Sequence, residues 1–166
     1  RDIAGAFNHK YPNSFVLPET KVDERVMIVP GTDGQKMSKS YSNFIDIFLP
    51  DKKLRKQIMD IQTDSTSLED PKDCTICNVF NLYKLLSSKE QATELKLKYE
   101  AGNFGYGHAK QELFDLMCNK FSDEREKFNH LMGNKDIIEK ELQKGAEKAR
   151  VIASEVLNRV RKNIGY

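Results

Sequence analysis

Long apolar runs are missing from this sequence. No stretch approaches the roughly 18 consecutive apolar residues that a membrane-spanning helix requires, so these residues do not cross a bilayer as helices. No secretory leader is visible. Cysteine is scarce: three in 166 residues cannot make the disulfide framework of a small secreted domain, and the cytoplasm is the expected compartment. Charge of one sign is lacking too. The 27 Lys and Arg nearly balance the 25 Asp and Glu, for a formal net charge of +2. Any nucleic-acid contact must therefore use a local patch, not the whole surface. There are no internal repeats, low-complexity tracts or long linkers. The length suits one domain, or one small domain with part of another.

What is there reads mostly as helix. Ile3, Ala6, Phe7 and Tyr11 recur with helical spacing, and Pro12 ends that helix. Two short strand-like runs follow, Phe15–Leu17 and Val26–Val29. The second, "VMIV", is apolar throughout, as in a strand buried on both faces of a parallel sheet. Two such runs make only a scrap of sheet, so the expectation is an α/β layer whose other strands come from an upstream part. The chain opens on Arg1 with helical sequence at once, which fits a C-terminal fragment. Downstream, "PDKKLRKQIMDI" puts Leu54, Ile58 and Ile61 on one face. "NVFNLYKLL" predicts a short central helix, and Ser88 with Gln91 predicts a capping box at the start of the next. The glycines of "AGNFGYG" predict a break, with "GYG" needing glycine geometry. Ala109, Leu113, Leu116, Met117 and Phe121 form another stripe, and Phe128, Leu131 and Met132 a shorter one ending near Gly133. Ala149, Ala153, Val156, Val160 and Ile164 line a last helix that stops at Gly165. The sum is a bundle of about five or six helices.

One loop carries chemistry. "GQKMSKSYSN", residues 34–43, follows the apolar run and a turn. Ligands of open α/β sheets bind at the carboxyl ends of strands. Serine hydroxyls, backbone N–H groups and the ammonium groups of Lys36 and Lys39 are the parts that surround polyphosphate. A lysine is a compact, mobile point charge. When an α-phosphate is attacked and pyrophosphate leaves, negative charge grows on the bridging and leaving oxygens. Lysines on a closing loop can meet that charge better in the transition state than in the ground state. A bare K-x-x-K is more often a solvated surface pair.

The string "KMSKS", Lys36–Ser40, is the signature of class I aminoacyl-tRNA synthetases. The stretches "RDIAGAFN", "RVM", "TDST", "YEAGNFGYGHAK" and "KGAEKARVIASEVLNRVRKNIG" fall in order around it and span nearly the whole chain. Together they resemble the C-terminal half of bacterial-type tryptophanyl-tRNA synthetases. That resemblance implies a mostly α chain: a C-terminal remnant of a Rossmann-like α/β catalytic domain over residues 1–60, then an α-helical anticodon-binding bundle over 61–166, with the last helix packing back toward the catalytic domain. It implies an enzyme that joins L-tryptophan and ATP into tryptophanyl-adenylate and then charges tRNA(Trp). Lys36 and Lys39 match the catalytic lysines. Met37, Ser38 and Ser40 match the rest of the ATP loop, and Val26 and Met27 match a strand end near adenine, with core packing as their alternative. Mg²⁺ is expected with the phosphates, and a homodimer for the full-length enzyme. The family's HIGH signature is not in these residues, so this stretch alone is expected to be inactive.

Other features have plainer readings. Cys74 and Cys77 have ligand-like spacing, but a tetrahedral site needs four ligands and only Cys118 remains, so reduced structural thiols and no metal are expected. His9, His108 and His130 are scattered; His108 is a candidate for facing tRNA, with a packing or surface role as the alternative. Lys144, Lys148, Arg150, Arg159, Arg161 and Lys162 interleave with Glu147 and Glu155, the pattern of a solvated face laced with ion pairs. Phe104 and Tyr106 are candidates for stacking on anticodon bases, with core packing open as the other choice. No tRNA-binding residue is singled out. The tyrosine enzyme, which shares fold and loop, and a non-catalytic RNA-binding module are the rival readings; the C-terminal "KGAEKAR" favours the tryptophan enzyme over the tyrosine one, and the intact loop argues against the module.

Overall fold

The computed structural model describes residues 1–22 and 28–166. Among the described residues there are seven helices: α1 Asp2–Lys10, α2 Asp51–Met59, α3 Asn78–Leu86, α4 Lys89–Ala101, α5 Tyr106–Lys120, α6 Ser122–Gly133 and α7 Lys135–Ile164. The residues form two compact units, Asp23–Asn129 and a second made of Arg1–Val22 with His130–Tyr166, the division falling within α6.

The larger unit has the apolar core. Leu54 and Ile58 of α2, Val79, Phe80, Leu82 and Tyr83 of α3, Leu95 and Tyr99 of α4, and Ala109, Leu113 and Met117 of α5 are buried together. Helix α5 packs on α2 and α3, and α3 packs on α4. The stripes read from the sequence are the faces that meet. Tyr99 is the largest fully buried side chain. Its ring meets Phe80 and Phe104 edge-on, and its hydroxyl lies 3.5 Å from Cys77 Sγ.

Helix ends are closed by side chains. Ser88 Oγ accepts from Gln91 N while Gln91 Oε1 accepts from Ser88 N, so the predicted capping box forms. Lysines serve the carbonyl ends: Lys110 Nζ donates to Met59 O at 2.8 Å, and Lys120 Nζ to Leu86 O at 2.7 Å. Both add positive charge where the helix dipole is negative. Arg125 of α6 donates to Ile47 O and to the Asp51 carboxylate at the start of α2.

In the smaller unit, α1 and the end of α7 are described with the loop after α1. Asn8 clamps the backbone of Phe15 twice, accepting from its N–H at 2.9 Å and donating to its carbonyl at 2.7 Å. Ser14 is fully buried and donates to Tyr11 O. Arg159 and Asn163 of α7 donate to Ser14 O and Ser14 Oγ. Val156 and Val160 are half-buried there, while Ile3 of α1 stays exposed.

Three expectations need correction. The strands do not form among the described residues: the only bridge outside helices pairs Pro30 with Lys36. Val16 and Leu17 are exposed, and the Phe15 backbone is satisfied by Asn8 instead of a neighbouring strand. Ile28 and Val29 are 57% and 38% exposed, not buried on both faces, because no strand flanks them among the described residues. Val26 and Met27 lie outside the described residues. Finally, "GYG" needs no special geometry. Gly105 is the N-cap of α5 at φ −76° and Gly107 sits inside the helix. The break is made by Gly102, at φ 72°, where a Cβ would stand 2.3 Å from Glu69 O.

Candidate functional site

The site is a tight turn that closes on itself. Gly31 N donates to Gln35 O at 2.7 Å, and Met37 N to Val29 O at 2.8 Å, so residues 29–37 fold back on themselves. Gly34 takes φ 78° at the tip, a conformation that L side chains resist. Asp33 Oδ1 accepts from Gln35 N at 3.0 Å and sharpens the bend.

Asn43 holds both arms. It is 3% exposed. Its Oδ1 accepts from Ser38 N at 2.7 Å. Its Nδ2 donates to Asp33 Oδ1 at 2.8 Å and to Lys36 O at 3.2 Å. Its carbonyl accepts from Thr32 N at 2.8 Å. One amide thus fixes positions on either side of the tip. Gly31 is required beside it, since a Cβ there would meet the Asn43 side chain at 2.5 Å. The hydrogen bond from Asn43 is the main cause that holds the Asp33 carboxyl below the usual aspartate range, and burial opposes it only partly.

The turn is also tied to the helices. Gln62 N donates to Thr32 O at 2.7 Å, and Asn78 Nδ2, at the start of α3, donates to Gln62 O at 3.1 Å. Asn78 lies against the tip, so a Cβ on Gly34 would stand 2.4 Å from its Oδ1. Met37 packs on the core.

Of the residues expected to bind ATP, Lys36, Met37, Ser38, Lys39 and Ser40 are brought together on this turn. Lys36, Lys39 and Ser40 are exposed, Ser38 and Met37 half-buried. Both side chains are exposed, and among the described residues neither lysine has a carboxylate at ion-pair distance. The backbone N–H groups are less available than the sequence suggested. Those of Met37, Ser38 and Ser40 are already bonded within the turn, to Val29 O, Asn43 Oδ1 and Ser38 Oγ. The groups left for an anion include the two ammoniums and the hydroxyls. Such an arrangement binds and moves with phosphate charge; it has no nucleophile–base pair.

Asn43, Asp33 and Asn78 were not singled out from sequence. The legible hint was spacing: an Asx residue on each side of a glycine tip is how side chains replace backbone partners in turns.

The other candidates lie elsewhere. Phe104 and Tyr106 are half-buried against the core, and Tyr106 donates to Asp64 Oδ1 at 2.8 Å, so both are occupied in packing. His9, His108 and His130 are exposed. Lys144 pairs with Glu141 at 2.7 Å, not with Glu147, and Arg159 is spent on Ser14 O. Cys74, Cys77 and Cys118 are free thiols, and among the described residues no group of three or more His, Cys, Asp or Glu is placed to hold a metal ion. No described helix is long and apolar enough to cross a membrane.

Comparison with known proteins places this geometry. The family described as tRNA synthetases class I (W and Y) matches residues 1–122. The tryptophan–tRNA ligase of Campylobacter jejuni strain RM1221 is 47% identical over 165 residues, covering 99% of this chain and 52% of the relative. That of Rhodopirellula baltica is 44% identical over 165 residues, with the same coverage of 99% and 52%. Among solved structures, tryptophanyl-tRNA synthetase from Campylobacter jejuni complexed with ADP and tryptophan superposes with a TM-score of 0.86 at 47% identity, over 100% of this chain and 52% of that one. The chain spans about half the length of the curated relatives it matches.

Proposed function

The chain belongs to the class I tRNA synthetases (W and Y), and on that premise we propose that it is the KMSKS-bearing part of a tryptophan–tRNA ligase. The observation that carries the reading is the braced turn at Lys36–Ser40, with both lysines exposed and unpaired among the described residues. The naming of relatives as tryptophan–tRNA ligases selects tryptophan over tyrosine.

In this reading the carboxylate of L-tryptophan attacks the α-phosphate of ATP. Tryptophanyl-adenylate forms, pyrophosphate leaves, and the amino acid then passes to the 3′ end of tRNA(Trp). Lys36 and Lys39 meet the charge that grows on the bridging and leaving oxygens. Ser38 and Ser40 offer hydroxyls to phosphate. Val26 and Met27 stand beside adenine by resemblance. Mg²⁺ travels with the phosphates of ATP as part of the substrate, since magnesium usually keeps waters and phosphate oxygens as ligands; the described residues do not fit a dedicated cage for it.

The functional division runs at about residue 60. Residues 1–60 belong with a Rossmann-like catalytic domain, and 61–166 form the anticodon-binding bundle. The bonds from Arg159 and Asn163 to Ser14 support a final helix that returns to the start of the chain. The amino-acid pocket and HIGH belong to the remaining half of the full-length protein, which acts as a cytoplasmic homodimer.

Tryptophan-dependent ATP–pyrophosphate exchange tests this, with the 166-residue chain and the full-length product side by side. Exchange by the full-length protein alone is expected. Exchange by the short chain would place a whole active site within residues assigned to anticodon binding, and would overturn the architecture.

A further inference from the structure

Two kinds of contact hold the lysine-bearing turn, and they differ in what they fix. Asn43 and Asp33 belong to the turn, so their bonds give it shape and move with it. Gln62 and Asn78 lie outside it, so theirs give it a place. Gln62 N donates to Thr32 O at 2.7 Å, and Asn78 Nδ2 donates to Gln62 O at 3.1 Å. The two bonds run in series from α3 to the turn. Asn78 also stands against the tip directly, where a Cβ on Gly34 would lie 2.4 Å from its Oδ1 and 2.9 Å from its Nδ2. Met37 adds an apolar contact with the core, but a flexible thioether sets no direction.

The far end of this series is firmly anchored. Asn78 is the first residue of α3, and Cys77 and Val79 on either side of it are buried. Phe80, Leu82 and Tyr83 bury the same helix further along. The backbone at position 78 therefore cannot shift without the core. Its side chain is less constrained. It is half-buried and borders a cavity of about 220 Å³ shared with Gln62, Asp64 and Tyr106. With room on that side, the bond to Gln62 and the glycine tip decide where the amide lies. Lys36 comes two residues after the tip, so a displacement at Gly34 reaches it before Lys39.

A charge that must meet a transition state has to be placed as well as present, and a misplacement of about 1 Å can cost roughly a hundredfold. We propose that Asn78 is a positioning residue: from the start of α3 it sets where Lys36 stands, through Gln62 and the Gly34 tip. The inference rests on the synthetase reading for the reaction, and on the hydrogen bonds alone for the placement. Asparagine suits the position because its amide gives Gln62 O a donor and is short enough to lie against a glycine.

Asn78→Asp tests this. It keeps the shape, turns the donor into an acceptor, and puts an acid at the first position of a helix, where negative charge is favourable. Asn78→Ala removes the same donor without adding charge. In the 166-residue chain labelled with ¹⁵N, both variants should leave the circular dichroism unchanged. The Gln62 amide should exchange about tenfold faster. The Ser38 amide, held by Asn43 inside the turn, should keep its protection, so that the turn retains its shape and loses its place. In the full-length protein, kcat for tryptophan-dependent ATP–pyrophosphate exchange should fall about ten- to a hundredfold in both, with KM for tryptophan unchanged. In a Lys36→Ala background the same substitutions should cost less than about threefold, because a residue that acts through Lys36 then has nothing to place. Equal losses in the two backgrounds, a rate within about twofold of the parent, a loss carried by KM for tryptophan, or a Gln62 amide protected as in the parent would each overturn the proposal. A parent without pyrophosphate exchange would defeat the synthetase reading instead, and the two amides would still decide whether Asn78 places the turn.

Discussion

Asn43 Nδ2 donates to Asp33 Oδ1 at 2.8 Å across the mouth of the turn, while the same amide's oxygen accepts from Ser38 N. The pairing predicts a titration. Asp33 is held below the ordinary aspartate value of about 3.9 chiefly by Asn43. A depressed carboxyl stabilises the fold above its unfolded pKa, and that contribution is lost as pH falls through the folded pKa. Carboxyl NMR should therefore place Asp33 below about 3.9 in the parent chain and nearer to it in Asn43→Ala. The same substitution leaves Ser38 N without its acceptor, so its amide should exchange about tenfold faster, a loss of roughly 1.4 kcal/mol, the lower part of the range for an orphaned donor since this one is half-buried. Unchanged exchange at Ser38 would remove Asn43 from its bracing role.

The tip offers a second test. Gly34 sits at φ 78°, and a Cβ there would crowd Asn78. The conformation costs an L residue about 1–2 kcal/mol. Gly34→Ala should lower Tm by roughly 2–8 °C, at about 2–4 °C per kcal/mol for a chain of this size. Adding Asn78→Ala relieves the contact but not the φ, so only part of the loss should return. Full recovery in the double variant would assign the whole cost to the collision.

Helical features were legible because period and capping are local. The α3 stripe, the Ser88–Gln91 box and the stop at Gly165 follow from residues within a few positions of each other. The strands were misread because "VMIV" states only that something apolar should cover it; what covers it is not in the chain's own pattern. Lysines were the other blind spot. Lys72, which the sequence pattern does not mark, is 4% exposed, because three carbonyls and a ring are arranged around it by residues as far off as Tyr106. In the site, the lysines of "KMSKS" were legible by motif, while the Asx brace was not.

That buried lysine predicts a stability loss. Lys72 Nζ donates to Ser67 O at 2.9 Å, Asp70 O at 3.1 Å and Leu68 O at 3.3 Å, beneath the face of Tyr106 at 5.5 Å. Lys72→Met keeps the stem and removes the donor. Charged hydrogen bonds are worth roughly 1.5–3 kcal/mol, and three carbonyls lose their partner together, so urea unfolding should show a loss of about 2–4 kcal/mol. A change under about 0.5 kcal/mol, as at an ordinary surface site, would mean the carbonyls are satisfied without it.

Alkaline pH should destabilise the core of the larger unit. Burial raises the thiol of Cys74 to about 11 and also raises the hydroxyls of Tyr99 and Tyr106. These acids are neutral in the folded chain. As pH climbs past their unfolded values, the unfolded chain ionises first and folding stability declines. The loss should begin near pH 8.5, the ordinary thiol value, and continue through about 10 as tyrosine titrates. Cys74→Ser should blunt the first part and leave the second. A flat stability from pH 8 to 11 would contradict the buried placement of Cys74 and Tyr99 and the half-buried one of Tyr106.

The sharpest test of the site is charge removal. Lys39 is exposed on a turn whose shape is set by Asn43, Gly31 and Gly34, so Lys39→Ala takes away an ammonium without disturbing the brace. In the full-length protein, adenylate formation should slow by about a hundred- to a thousandfold, as for other lost transition-state contacts. Tryptophan affinity should change little, because the role proposed for the lysine is toward phosphate. A drop in both would signal a collapsed turn, and the Ser38 amide distinguishes the cases: its protection persists if only charge was lost. A rate within about twofold of the parent would sink the role given to Lys39, since a group stabilising the leaving pyrophosphate cannot be removed at so small a cost.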